Sequence, residues 1–468
     1  DAAGYQTRRG DIKRVNGKGE SMTFETKGKE NNGATYGRRS DWQDLYSIAK
    51  KYYEALLADP GNALFHLTDP RGASDKSGRT FNNPYQYFFE QMHMDDAIYA
   101  DESIYEYPMQ QGGGNDGRPY SFGRPSSGGS KAAYPCKSYG QGRINPAYFY
   151  GVFDPNDMRR DVSITMTGSN GKGVEKLIPF VPNSKAEGGG LTLNKWDENR
   201  QANPWVAAQR KSGINGPYMR MSEVYLGYAE VCAALGDVVT GKQYLKTVRE
   251  RSFPQGLANT DTFIASFGND LVRAIIEERG FEYAGEGDRR WTLIRSGYLP
   301  EDIKRIKDMT KAMMDGLATK GYYEFENGNI ISAYIWTKLV DAKTIYGHRL
   351  TAQCPTDKVN DPVLYPGWRG QKDNWEEMGL NYGSSTPATN LAIKGLFEIV
   401  SEEEAASLES QGYTKVNWGI DLVDNRDEYD KYLFWDYDYV SAPIYLWPFT
   451  PNVMAAGGFT NGYGFKQE

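Results

Sequence analysis

The chain has 468 residues and a formal net charge of −7, long enough for two or three domains and too mildly acidic for the basic stripe of a nucleic-acid-binding protein. Cys136, Cys232 and Cys354 form neither a paired framework nor a metal spacing, and His66, His93 and His348 lie far apart with no zinc arrangement. No apolar run reaches the ~18 residues of a membrane-spanning helix, whereas 34 tyrosines and 10 tryptophans suit a surface that stacks rings on ligands.

Residues 1–38 are rich in Gly, Lys, Arg and Asn without periodicity, and predict an extended surface segment. Residues 40–57, SDWQDLYSIAKKYYEALL, predict a helix capped by Ser40, with Gln43 completing a capping box. Trp42, Leu45, Ile48, Ala49, Tyr52 and Leu56 form its inner stripe, and Asp59-Pro60-Gly61 stops it. A short aromatic helix over 84–94 follows. The segment DESIYEYPM comes next, with Ile104 and Tyr105 beside the acidic Glu102 and Glu106.

Residues 110–145 are rich in Gly, Pro and Ser, and too long for a plain connection. The bland reading is a mobile surface loop. The functional one is a ligand platform, in which the rings of Tyr120, Phe122, Tyr134 and Tyr139 stack on the C–H faces of sugars. Asn115, Asp116 and Arg124 then supply hydrogen bonds to hydroxyls. The GGGNDG run is no phosphate cradle, because no P-loop Lys-Ser/Thr follows. Residues 153–161, FDPNDMRRD, precede the strand candidate VSITMT, with Arg159 and Arg160 as structural partners of carboxylates. In residues 190–206, Trp196 and Trp205 are open between core and surface.

From Gly216 to Gly297 the spacing predicts three consecutive helices. The first has Pro217 in its first turn, Tyr218, Met221, Val224, Tyr225, Tyr228 and Cys232 on its inner face, and Gly236 at its end. The second turns Tyr244, Leu245 and Val248 inward, and the pair reads as an antiparallel hairpin of a tetratricopeptide-like array. The third carries the stripe Leu271, Val272, Ile275 and Ile276. Glu282, Glu286, Arg289 and Arg295 follow as a partly buried ion network that docks the helix. An acid–base pair is the weaker reading of those carboxylates. Beyond Gly297, Ile303, Ile306, Met309, Met313 and Leu317 mark one face of an amphipathic helix. YYEFENGNIISAYIWTKLVD predicts a hairpin on Asn327-Gly328. Residues 352–390 form a second ring-bearing loop region, with Tyr365, Trp368, Trp375 and Tyr382 spaced too irregularly for one helix or strand face. A short strand over 392–399 and a helix over 402–408 lead into an aromatic tail.

The hairpin followed by EERGFEYAGEGDRRWTLIRSG resembles the SusD/RagB family of surface nutrient-binding lipoproteins of the Bacteroidetes outer membrane. Glu278, Arg279, Glu282, Glu286, Gly287, Arg289, Leu293, Arg295 and Gly297 match the family pattern, while Gly285 and Thr292 depart from it. The tail residues Tyr445, Leu446, Pro448, Asn461, Gly462 and Tyr463 resemble the family's closing segment. The resemblance implies a mainly α fold, with tetratricopeptide-like helical hairpins carrying a loop-rich, mixed α/β ligand-binding region. Residues 1–80 would end an N-terminal helical half, and 81–215 would be loop-rich with short strands. Residues 216–300 would hold the hairpin and arginine segment, and 301–468 a second loop-rich region. It further implies a binding protein without catalytic residues, metal or cofactor. Its ligand would be an oligosaccharide, or a peptide in a RagB-like uptake protein, passed to a SusC-like TonB-dependent transporter. Family members sit on the extracellular face of the outer membrane by a lipid-bearing Cys, preceded by a signal peptide and followed by helical hairpins. The chain is therefore expected to be part of a longer one. A glycoside hydrolase would need two carboxylates about 5–9 Å apart, for which Asp116 with Glu376 or Glu377 is the conceivable pair. A pure helical-repeat scaffold would leave the ring-bearing loops unexplained.

Overall fold

The computed structural model describes residues 2–9, 15–31, 33–70, 83–93, 100–126, 136–169, 174–182, 189–198, 201, 205, 207–341, 389–433, 441–443, 448–458, 460 and 461. The described residues among the first 39 are not a loose segment. Strands β1 (Gln6–Arg9), β2 (Phe24–Thr26) and β3 (Ala34–Arg39) form an antiparallel sheet of order β1-β3-β2. The strands are too short and polar to show a period, and tertiary contacts hold them. Tyr36 is buried and its hydroxyl donates to the Ile294 carbonyl, while the Arg8 guanidinium lies 3.3 Å over the Phe24 ring.

Helix α1 (Trp42–Ala58) starts one residue later than its cap signal suggests. Ser40 Oγ is bonded to Thr23 Oγ, so Asp41 takes the cap position and makes no side-chain cap bond. The helix is also rotated from the predicted stripe. Tyr46, Ala49, Tyr53 and Leu57 pack against Tyr228, Val231 and Cys232, whereas Ile48 and Tyr52 are exposed. Residues 46, 49, 53 and 57 are themselves a three-four repeat, so two apolar stripes competed and the neighbouring helix chose one.

Helix α2 (Pro84–Gln91) buries Tyr85, Phe88 and Phe89. Strand β4 (Ser103–Tyr107) and helix α3 (Gly117–Phe122) precede a π-helical turn at Tyr148–Val152 and helix α4 (Arg159–Ser163). Short antiparallel pairs follow, β5 (Ile164–Thr165) with β8 (Thr192–Leu193) and β6 (Thr167–Ser169) with β7 (Glu175–Leu177). Residues Gly216–Arg220 are a strand, β9, not the first helical turn. They pair antiparallel with β4 through a bulge. Helix α5 (Met221–Ala234) then begins, and with α6 (Val238–Glu250) makes the expected antiparallel hairpin. Asp237 caps α6 by accepting from the Thr240 N–H.

The expected third helix is three: α7 (Thr260–Ala265), α8 (Leu271–Glu282) and α9 (Asp288–Ser296). Asp270 starts α8 by accepting from the Arg273 N–H, and Gly285 and Gly287, at φ +81° and +92°, break the chain before α9. Helix α10 (Leu299–Lys320) buries Met313, Met314 and Leu317 against Phe149, Tyr150, Ile331 and Trp418. The hairpin on Asn327-Gly328 forms between β10 (Tyr322–Glu324) and β11 (Ile330–Ser332). Strand β12 (Tyr334–Asp341) lies between β13 (Thr389–Lys394) and β14 (Thr414–Asn417). The fold is mainly α, with small sheets at the margins of the helical core.

The α8–α9 segment is docked by buried ion pairs, deeper than the partly buried network expected. Glu282 meets Arg220 at 2.5 Å, Arg251 at 2.7 Å and Arg159 at 3.0 Å. Glu102 bridges Arg220 and Arg251, and Glu286 meets both Arg220 and Lys195. Burial by itself would raise the Glu282 carboxyl, but the three guanidiniums hold it far below the ordinary carboxylate range. Arg289 and Arg295 belong to separate groups. Arg289 pairs with Glu277 and Asp302, and Arg295 with Glu230.

Candidate ligand-binding site

Three loop segments converge on α3. Asp116 caps it, accepting from the Arg118 N–H at 3.2 Å and from Ser212 Oγ at 2.5 Å. Segment 136–142 runs alongside, with the Tyr139 N–H donating to the Tyr120 carbonyl and the Gln141 N–H to the Ser121 carbonyl. The rings of Tyr120 and Tyr139 meet edge to face at 5.1 Å. Segment 207–216 closes the third side. There the Tyr120 hydroxyl donates to Gln209 Oε1, and the Arg210 guanidinium sits 4.6 Å over the Tyr120 ring. Lys137 Nζ lies 5.0 Å from the Tyr139 ring centre. These two rings therefore carry cations on their faces, and Tyr120 itself is buried.

Phe122 is exposed at the end of α3, and Asn115 is exposed just ahead of it. The Trp205 ring, also exposed, covers Gly112 so closely that a Cβ there would come within 2.8 Å of it. Two polar residues nominated from the sequence are committed inside the fold. Arg124 is buried, bonded to Glu175 and 3.8 Å from Asp197, and so ties the end of α3 to β7. Asp116 is buried as the helix cap, and burial raises its carboxyl even against the bonds from Ser212 and Arg118. That setting does not present it across a cleft as half of a hydrolytic pair. Tyr134, Trp368, Trp375 and Tyr382, with Tyr365, Glu376 and Glu377, lie outside the described residues.

A group of exposed rings lies where the spacing predicts a helical turn at Tyr218. On the β4–β9 ribbon, Tyr105, Tyr107 and Tyr218 are 54%, 58% and 78% exposed, and Tyr105 meets Tyr218 edge to face at 5.5 Å. The signal was present as the alternation Tyr105-Glu106-Tyr107. Glu106 points inward and accepts from the Ala100 N–H and from Asn215 Nδ2. The ribbon abuts α3: the Arg118 guanidinium occupies the space that a Cβ on Gly216 would need. The Arg118 guanidinium thus lies against strand β9 at Gly216, two residues from Tyr218.

Behind this surface Glu198 is buried, and its Oε1 has no hydrogen-bond partner among the described residues. Burial, with Asp116 and Asp197 nearby, pushes its carboxyl up to about 8. A separate cleft of about 1300 Å³ runs between α6 and the 253–262 loop, lined by Leu67, Lys242, Lys246, Phe253 and Asp261. It holds none of the nominated residues. Among the described residues no group of three or more His, Cys, Asp or Glu is placed to hold a metal ion, and no helix is long and apolar enough to cross a membrane.

SusD-like protein P25 of Formosa agariphila is 28% identical over 160 residues, covering 34% of this chain and 26% of that protein. A SusD homolog from Bacteroides thetaiotaomicron aligns in structure with a TM-score of 0.40 at 18% identity, over 57% of this chain and 52% of that one. Surface glycan-binding protein A from the same organism, solved in complex with laminarihexaose, aligns with a TM-score of 0.37 at 18% identity, over 55% and 52%. The chain thus spans about a quarter of the length of the curated relative and about half of each solved structure. The SusD family model matches residues 64–448, and the chain belongs to that family.

Proposed function

We propose that this protein is a surface nutrient-binding protein that captures an oligosaccharide and delivers it to a SusC-like TonB-dependent transporter of the outer membrane. The carrying observation is the exposed tyrosine ribbon of Tyr105, Tyr107 and Tyr218 in a member of the SusD family. Bare aromatic faces suit the apolar C–H faces of sugar rings, and a shallow exposed site gives the moderate affinity of a carrier that must release its cargo. Membership of a family of binding proteins supports capture without catalysis. Asp116 is spent on capping α3 and Glu198 lies buried, so neither presents a carboxylate to a bound sugar.

Isothermal titration against a panel of oligosaccharides and peptides tests the reading. Saturable heat with at least one glycan class is expected. Heat with peptides alone would replace it by the RagB-like peptide reading. Release of new reducing ends from a bound glycan would overturn the non-catalytic part. Co-purification of a TonB-dependent transporter with the native protein from membranes tests the delivery step.

A further inference from the structure

The α3 cluster gathers basic side chains at its surface. Arg118, Lys137, Arg210 and Lys211 come from its three segments and are exposed or half-exposed. Among the described residues none of the four forms an ion pair with a carboxylate. Arg118 lies over Gly216 and 5.7 Å from the Trp196 ring, Lys137 and Arg210 over tyrosine rings, and Lys211 Nζ donates to the Gly113 carbonyl. The acids of the same cluster are withdrawn: Asp116, Asp197 and Glu198 are each 4% exposed, and Asp197 faces Arg124. In a chain of net charge −7 this is a local inversion of sign. Other surface basic residues do sit beside acids, as Lys50 does with Glu54, Lys304 with Asp308 and Lys311 with Asp315.

Rings that support cations do not offer those faces to a sugar, so the cluster and the ribbon divide the work. We infer that this surface selects an acidic oligosaccharide, one bearing carboxylate or sulfate groups: the ribbon tyrosines stack its rings, and Arg118, Lys137, Arg210 and Lys211 take its charges. Guanidinium and ammonium groups match both anions, and exposure leaves them ready to bind at small desolvation cost. A buried orphan cation would instead destabilise the free protein.

The inference rests on the oligosaccharide reading above. Its test compares four probes by calorimetry: oligogalacturonate, a sulfated galactan oligosaccharide, uncharged laminarihexaose and an oligoglutamate peptide. One of the two acidic glycans is expected to bind at least tenfold tighter than laminarihexaose. Its affinity should fall steeply between about 50 mM and about 500 mM salt, as screening of exposed charges requires. The double variant Lys137→Gln, Arg210→Asn should weaken it roughly tenfold, the size of two half-exposed ionic contacts. Asn suits the left-handed backbone at Arg210, φ 62°, so an unchanged melting temperature serves as the folding control. Laminarihexaose binding as tightly as the acidic glycans, without salt dependence, would overturn the inference and leave the glycan reading standing. Binding of the acidic peptide with no glycan bound would overturn both.

Discussion

Glu198 and Glu230 are both buried acids, yet their neighbours send them in opposite directions. Burial alone would raise the Glu230 carboxyl, but Arg295, which pairs with it at 2.5 Å, holds it at about 2. A folded-state value below the ordinary 4.5 stabilises above that value, and the contribution is lost as pH falls through about 2. The full effect is about 3 kcal/mol. In chemical denaturation from pH 7 to pH 2, Glu230→Gln should start less stable and show a flatter acid limb than the parent. An unchanged limb would count against the pair. Glu198 has the reverse sign. Its value, raised to about 8 by burial and then by Asp116 and Asp197, gives a contribution fully present below 4.5 and lost as pH rises through about 8. Glu198→Gln should therefore flatten the stability curve between pH 5 and pH 9 and gain a few kcal/mol on the parent at the alkaline end. Parallel curves for the two proteins would show that the carboxyl is solvated.

Two elements with opposite duties meet at β9. Its Arg220 is buried and shared by Glu102, Glu282 and Glu286, while its Tyr218 stands in solvent. Removing one member of a buried network leaves its partners uncompensated, at a cost of about 3–5 kcal/mol. Arg220→Leu should lower the denaturation midpoint accordingly, because it leaves Glu102, Glu282 and Glu286 without the cation they share, Arg251 and Lys195 compensating only in part; a loss under about 1 kcal/mol would mean the network is redundant. The double variant Tyr105→Ala, Tyr218→Ala is the complementary experiment. Exposed rings contribute little to folding, so stability should move by no more than about 0.5 kcal/mol. Glycan affinity should fall by about 1 kcal/mol per ring or more. Full affinity in that variant would remove the ribbon from the site.

At the scale of the molecule, capture by the native fold must stabilise it. A glycan at a hundred times its dissociation constant adds about 2.7 kcal/mol of apparent stability, read as an upward shift of a few degrees in the melting temperature. The panel that gives heat in titration should give that shift, and a glycan that gives heat without it binds something other than the folded site. The two loop-rich regions and the helical centre at 216–300 remain a proposed division of the chain, which limited proteolysis would test by cutting between them.

Periodicity and punctuation determined the helical centre: the α5–α6 hairpin, the amphipathic face of α10, and the turn on Asn327-Gly328 are all written in local spacing. The order of segments around Glu278–Gly297 determined the family. What tertiary structure alone decided was choice among local equals. Helix α1 had two usable stripes, and α5 selected one. Pro217-Tyr218 could open a helix, but pairing with β4 made them a strand and left Tyr218 facing water. Asp116 and Arg124 read as free polar groups until Ser212 and Glu175 turned out to face them. A side chain's partner distant in sequence leaves no trace in its own neighbourhood, so which charges are neutralised and which stay open for a ligand is settled only when the segments meet.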